Sequence, residues 1–165
     1  MTRKITTFLA IVFLGLNLFQ AQLTMHSMVH AGYVYQSPKF GEVGGRLLFL
    51  KHDDVAYRIG ASALMGSANQ KFAIIPKAQG DVLFNFRKEA DVYHSYYFLA
   101  GAEATTLYIA PKAGLSLFGI IDLAAGYAFP FNDNRINGKQ LKGINFNFTL
   151  NIPLVVIQDL TRKGK

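Results

Sequence analysis

Eight charged residues are the first candidates for chemistry, because each occupies a polar position in a stretch where polar and apolar residues alternate. They carry four charges of each sign, Arg46, Arg58, Lys77 and Lys112 against Glu42, Asp81, Glu103 and Asp122. If these side chains share one interior they must pair, because an uncompensated buried charge costs several kcal/mol. Glu103 and Lys112 flank one predicted hairpin and could be cross-strand neighbours. A salt-bridged plug is the favoured interpretation, and a narrow polar path or a small-ligand site is the alternative.

Histidine and serine residues give weaker candidates. His26 and His30 share one predicted face, but four residues along a strand span about 13 Å, too far for both to bind one metal ion by themselves. His94 and Ser95, with Glu103 on the face of Ser95, could suggest a lipid-modifying enzyme. However, adjacent strand residues point to opposite faces, and no Gly-x-Ser-x-Gly sequence is present. We therefore expect no catalytic residues, no metal site and no cofactor.

The stretch from Gly143 to Ile157 shows most clearly which elements position these residues. Phe148 and Leu150 lie on one parity and Thr149 and Asn151 on the other, so a strand here has an apolar face and an amide-rich face. A strand that is apolar toward lipid and polar toward a lumen is typical of an outer-membrane barrel. On this basis an arginine in place of Leu150 should be costly, and Asn151→Ala should be much milder.

Seven earlier stretches alternate in the same way and are separated by short polar turns. They cover residues 23–35, 42–51, 55–67, 71–87, 92–107, 109–117 and 120–131. With 143–157 they give an even number of strands, as in bacterial outer-membrane barrels. The predicted fold class is all-β, an eight-stranded antiparallel up-and-down transmembrane β-barrel.

The N-terminus has the features of a secretory signal peptide. A basic start at Arg3 and Lys4 precedes an apolar run from Ile5 to Phe19, which is too short to span a membrane, and Ala21 is the small residue before the expected cleavage point. The predicted organisation is a cleaved signal peptide (1–21), a barrel (22–157) and a basic C-terminal tail (158–165).

Composition argues against several other classes of protein. Charged residues make up only 16% of the chain and cysteine is absent, so neither disulfides nor a cysteine metal site is available. Much of the basic excess lies in the tail, at Arg162, Lys163 and Lys165, and no basic stripe with interleaved aromatic residues suggests nucleic-acid binding.

Aromatic residues on the apolar parity cluster at the two ends of the predicted strands. They are Tyr33, Tyr35, Phe72, Phe129, Phe131 and Phe146 near the outer ends, and Phe49, Tyr57, Phe84, Phe86 and Tyr96 near the inner ends. Two aromatic belts of this kind mark the two membrane–water interfaces, so we expect these side chains to form a lipid-facing girdle. If the first strand starts in the periplasm, the loop 132–142 lies outside the cell, where it should be the most protease-accessible site, and the turn at His52 to Asp54 lies inside.

Taken together, residues 22–157 resemble the small eight-stranded outer-membrane barrels, the group that includes OmpX and the OmpA transmembrane domain. The resemblance rests on the alternation, the signal peptide and the aromatic girdles. It implies location in the outer membrane of a Gram-negative cell envelope, contact with outer-membrane lipids and assembly by the barrel-assembly machinery. It also implies a structural or surface-interaction role without catalysis. A lipid-modifying enzyme, or a narrow channel for ions or small solutes, is the alternative.

Overall fold

The computed structural model describes residues 24–52, 54–86, 96–132 and 134–163. Eight antiparallel strands, each paired with its neighbours in sequence, form a closed barrel in which the last strand pairs with the first. The strands are β1 (Thr24–Tyr35), β2 (Lys39–His52), β3 (Val55–Ala68), β4 (Lys71–Asn85), β5 (Tyr96–Thr105), β6 (Tyr108–Leu117), β7 (Ile121–Pro130) and β8 (Gly143–Pro153). The predicted all-β, eight-stranded, up-and-down barrel is confirmed. The predicted signal peptide and the His94–Ser95 pair lie outside the described residues.

The strands are strongly staggered around the barrel. Asn147 on β8 pairs directly with Val34 on β1. The register partners of Asn147 can also be followed in the other direction, from β7 round the barrel to β2. This path ends at Thr24 on β1, so one circuit of the barrel shifts the register by ten residues relative to Val34. Such a stagger tilts the strands, and a barrel of eight strands leaves an interior that side chains can fill.

The alternation predicted for β8 is present in the structure. Asn145, Asn147, Thr149 and Asn151 are buried, whereas Phe146 and Phe148 are exposed on the outer surface. This strand therefore directs its amide row into the barrel and its aromatic row outward, because successive side chains of a strand point to opposite faces.

The C-terminal end differs from the prediction. β8 ends at Pro153, and residues Leu154–Lys163 form a helix, α1, so the prediction that the strand continues to Ile157 was wrong. Pairing with β7 stops at Leu150, and Pro153 has no N–H to donate to a sheet. A helix after Pro153 gives the backbone N–H and C=O groups hydrogen-bond partners that the sheet no longer supplies. No helix among the described residues has the length and apolar character needed to cross a membrane.

Among the described residues, β4 ends at Asn85 and β5 begins at Tyr96. The sequence predicted strands reaching Arg87 and starting at Val92, and both of these predicted ends lie outside the described residues.

Close strand packing depends on glycine at particular inward positions. A Cβ added at Gly114 on β6 would collide with the carbonyl oxygen of Leu123 and approach the Cα of Ala124 to 2.6 Å. Gly80 on β4 is exposed, and a Cβ there would meet nothing within 4 Å. Replacement of glycine by alanine can therefore be compared at a crowded position, Gly114, and at an open one, Gly80.

We predict that Gly114→Ala destabilises the barrel by about 1–3 kcal/mol, the usual range for overpacking, whereas Gly80→Ala leaves its stability nearly unchanged. Urea unfolding of both variants in the same detergent or vesicle measures the difference. Equal losses for the two variants would contradict the register that brings β6 and β7 so close at Gly114.

Candidate functional site

The structure brings all eight charged residues singled out in the sequence into the barrel interior. They come from β2 to β7, and none is more than 8% exposed. They form the central layer of the interior, which we call the charged layer: Glu42, Arg46, Arg58, Lys77, Asp81, Glu103, Lys112 and Asp122.

One half of the charged layer is organised by Lys77. Its Nζ lies 2.6 Å from Oε2 of Glu42 and 3.2 Å from Oε2 of Glu103, so one ammonium group bridges two carboxylates. Glu42 has further partners, because its Oε1 accepts a hydrogen bond from the Ser62 hydroxyl at 2.8 Å and lies 3.0 Å from Nε2 of His30. Both carboxylates are therefore paired as well as hydrogen-bonded.

The other half is organised by two guanidinium groups. Arg58 lies 3.2 Å from Asp81 and 2.8 Å from Asp122, and Arg46 lies 2.8 Å from Asp122. Asp122 thus stands between two arginines. The planar guanidinium fork suits this arrangement because it can donate several hydrogen bonds in fixed directions.

Lys112 joins the two halves. Its Nζ lies 3.5 Å from Asp81 and 3.7 Å from Glu103, and it donates a hydrogen bond to Oε1 of Gln79 at 3.3 Å. Glu103 and Lys112 are close neighbours, as the sequence suggested, although Lys112 pairs in register with Gly101. The eight charges therefore form one continuous network.

The amide row of β8 completes the network. Asn145 and Asn147 donate hydrogen bonds to the carboxylate of Glu103 at 3.0 and 3.3 Å. Asn151 donates to Asp122 at 2.9 Å and accepts from Arg46 at 2.8 Å. We therefore no longer expect Asn151→Ala to be mild, because the change would remove two hydrogen bonds from buried charged groups.

The two histidines considered in the sequence have different environments. His30 is buried and lies against Glu42, whereas His26, four residues earlier on β1, is partly exposed. Within the described part of the chain, no three histidine or acidic side chains are grouped so that they could hold a metal ion.

Apolar side chains seal the charged layer on both sides, a feature that the sequence reasoning missed. Toward the end of the barrel that carries the β7–β8 loop lies the mouth cluster, formed by Val34, Phe40, Leu64, Ile75, Tyr108, Ala110, Ala128 and Leu141. Toward the opposite end lies the base cluster, formed by Ala56, Leu83, Tyr97, Leu99 and Ala124 with Leu48 and Leu50 packed against it. The available signal was the presence of leucine and isoleucine at inward positions, as at Leu64, Ile75, Leu83 and Leu99.

The described residues of the β7–β8 loop, 131–132 and 134–142, which we call the lid, cover the mouth. Leu141 is 1% exposed and belongs to the mouth cluster. The tip of the loop is tied across the barrel to the β3–β4 turn, where Asn69 donates to the carbonyl of Asn137 at 2.7 Å and Asn137 donates to the carbonyl of Lys71 at 3.2 Å. High protease accessibility of this loop stays a prediction, and these anchors argue against rapid cleavage at its tip.

The aromatic residues proposed as a girdle lie on the outer surface. All are exposed except Phe49, which is partly exposed. Tyr35 pairs in register with Phe146 near the mouth, and Phe49 pairs with Tyr57 near the base. The interior and the surface thus have the reverse of the polarity found in a water-soluble domain, with charges inside and aromatic and aliphatic side chains outside.

Comparisons with known proteins add little to this geometry. No protein-family model matches the chain, and no curated protein matches it. The chain is similar to the solution NMR structure of the de novo designed TMB2.3, with 16% sequence identity over 81% of this chain and 98% of that chain and a TM-score of 0.36. The fold and the interior therefore define this protein's class by themselves, as a small closed β-barrel with a buried charged network.

Glu103 is the most informative position in the network, since Lys77, Asn145, Asn147 and the Tyr108 hydroxyl all donate to it. We predict that Glu103→Ala destabilises the barrel by about 3–5 kcal/mol, because it leaves buried cationic charge uncompensated. Chemical unfolding in micelles measures the change.

The matched control is Asp54→Ala in the exposed β2–β3 turn, which removes the same type of charge and should change stability by less than about 0.5 kcal/mol. A Glu103→Ala variant as stable as the control would show that the network does not hold the barrel together.

Proposed function

We propose that this protein is a small outer-membrane β-barrel that spans the bilayer, has a structural or surface-interaction role and catalyses no reaction. The observation that carries the proposal is the reversed polarity of the barrel. Large apolar side chains cover the outside, with Phe72 71%, Ile144 62% and Ile74 58% exposed, while the charged layer is sealed inside. Soluble monomers rarely expose contiguous apolar patches larger than a few hundred Å².

Barrel closure supports the same proposal. In hydrocarbon every backbone N–H and C=O needs an internal partner, and a closed barrel meets that requirement because it has no free edge. The pairing of β1 with β8 removes the edges here. The outward aromatic residues near the two ends then lie where the two membrane interfaces would be.

The proposed orientation rests on the predicted signal peptide and on the chain direction. An exported chain whose β1 starts in the periplasm places the mouth, with its β7–β8 lid, outside the cell and places α1 in the periplasm. Outer-membrane lipids would surround the barrel, and the barrel-assembly machinery would insert it.

The two alternative functions have less support. A channel needs an open path, but the interior carries the mouth cluster, the charged layer and the base cluster in succession. A lipid-modifying enzyme needs a nucleophile that can reach substrate. Ser62 faces the interior and is bonded to Glu42, and His94 and Ser95 lie outside the described residues.

If the outer surface contacts lipid, Leu150→Arg should destabilise the barrel in vesicles by about 2–4 kcal/mol, because it places a charge in hydrocarbon. Leu150 is 38% exposed on the outer face of β8. Thr106→Arg, in the exposed β5–β6 turn, is the control and should have little effect. Equal tolerance of both arginines would argue against a lipid-facing surface.

Location and orientation can be tested together, since the chain has no native cysteine. Arg135→Cys lies in the exposed part of the lid and Asp54→Cys in the β2–β3 turn at the base. In intact cells, a membrane-impermeant maleimide should label the first variant and spare the second, and the protein should show heat-modifiable migration from the outer-membrane fraction. Labelling of Asp54→Cys alone would reverse the orientation, and a soluble periplasmic protein would end the proposal.

A further inference from the structure

An apolar groove runs along the outer surface across β6, β7, β8 and β1. It has a volume of ≈ 350 Å³, and its floor includes the small residues Ala113 and Ala125, while Tyr33, Tyr35, Phe146 and Phe148 form much of its wall. The register places Ala113, Ala125 and Phe146 side by side on neighbouring strands. Two small side chains next to a large aromatic one leave a furrow wide enough for an acyl chain.

The mouth end of this groove is positively charged. Lys39 Nζ lies 5.6 Å from the centre of the Tyr35 ring, at the groove wall. Lys139, from the lid, donates a hydrogen bond to the Ser37 hydroxyl at 3.1 Å, in the turn that follows Tyr35. Two lysines from different parts of the chain therefore lie at the β1–β2 end of the groove, one against Tyr35 and one against Ser37.

The other charged side chains described at the mouth are also positive. Lys71, Arg135 and Lys142 are exposed there, and the described residues of the mouth turns and lid include no acidic side chain. Asp133, which belongs to the lid in the sequence, lies outside the described residues. A collection of like charges at one rim favours an anionic partner, and several cations suit a ligand with more than one negative group.

We propose that the groove and its two lysines bind a lipid whose headgroup carries more than one phosphate. One acyl chain lies between the aromatic walls, and the phosphates contact Lys39 and Lys139. This inference rests on the proposed function, because it requires that the mouth lies at the level of lipid headgroups. The ring of Tyr35 holds the Lys39 side chain at the place where chain and headgroup meet, a common role for an aromatic residue at a membrane interface.

The test is native mass spectrometry of the folded, full-length mature chain in neutral detergent, with diphosphoryl lipid A, monophosphoryl lipid A or phosphatidylglycerol added. The wild-type protein should bind diphosphoryl lipid A most tightly. Lys39→Gln and Lys139→Gln should each weaken that binding about fivefold, the loss expected from one lysine near anionic headgroups. Ala125→Phe, which fills the groove and keeps both lysines, should also weaken it.

Arg162→Gln is the matched control, because it removes an exposed cation from α1, at the opposite end of the barrel from the groove's lysines. An equal loss with Arg162→Gln, or equal binding of the three lipids by the wild type, would overturn the inference. Heat-modifiable migration of each sample shows whether the barrel has folded, and so distinguishes failure of the lipid-binding inference from failure of the proposed function. A folded barrel that shows no lipid preference removes only this inference, whereas a chain that forms no barrel in detergent removes the proposed function.

Discussion

Pairing of charges in a closed interior is the constraint on which this structure depends. Each of the eight charged side chains lies within 3.5 Å of a group of opposite charge. Removing charges from water is expensive, and the attraction between them offsets the cost only when the geometry is good and further hydrogen bonds satisfy the remaining atoms. The asparagine row of β8 supplies several of those hydrogen bonds. The groups of the network therefore depend on one another, because the loss of one charged side chain leaves its partners buried without a neutralising charge.

The apolar clusters above and below make that pairing stronger. The mouth cluster and the base cluster place apolar side chains at the two ends of the charged layer. Opposite charges attract more strongly in such low-dielectric surroundings than in water. The lid contributes directly, because Leu141 reaches from the loop into the mouth cluster. The strands are thus held together through their interior side chains as well as through their backbone pairing.

Sequence alone predicted the alternation, the eight strands and the set of inward charges, because side-chain direction in a strand follows directly from residue parity. It did not predict which charges pair. Arg46 meets Asp122, a residue 76 positions away in the sequence, because the stagger of the closed barrel sets which strand positions share a level. The apolar clusters were missed for a related reason. Leu64 and Ile75 occupy inward positions, and only the closed geometry shows that they form a layer with Leu141. The helix after Pro153 was missed because the apolar residues 154–157 were assigned to the strand, although Pro153, which has no N–H to donate, lies where β8 ends.

We propose that the interior is closed to ions, and the most direct test is the conductance of the purified, refolded protein in a planar bilayer. We predict no stable open-channel steps, because an eight-stranded barrel whose interior is filled by side chains has no room for an aqueous path. Reproducible steps of uniform size from the wild-type protein, in a preparation free of contaminating porins, would contradict it and would favour the narrow channel.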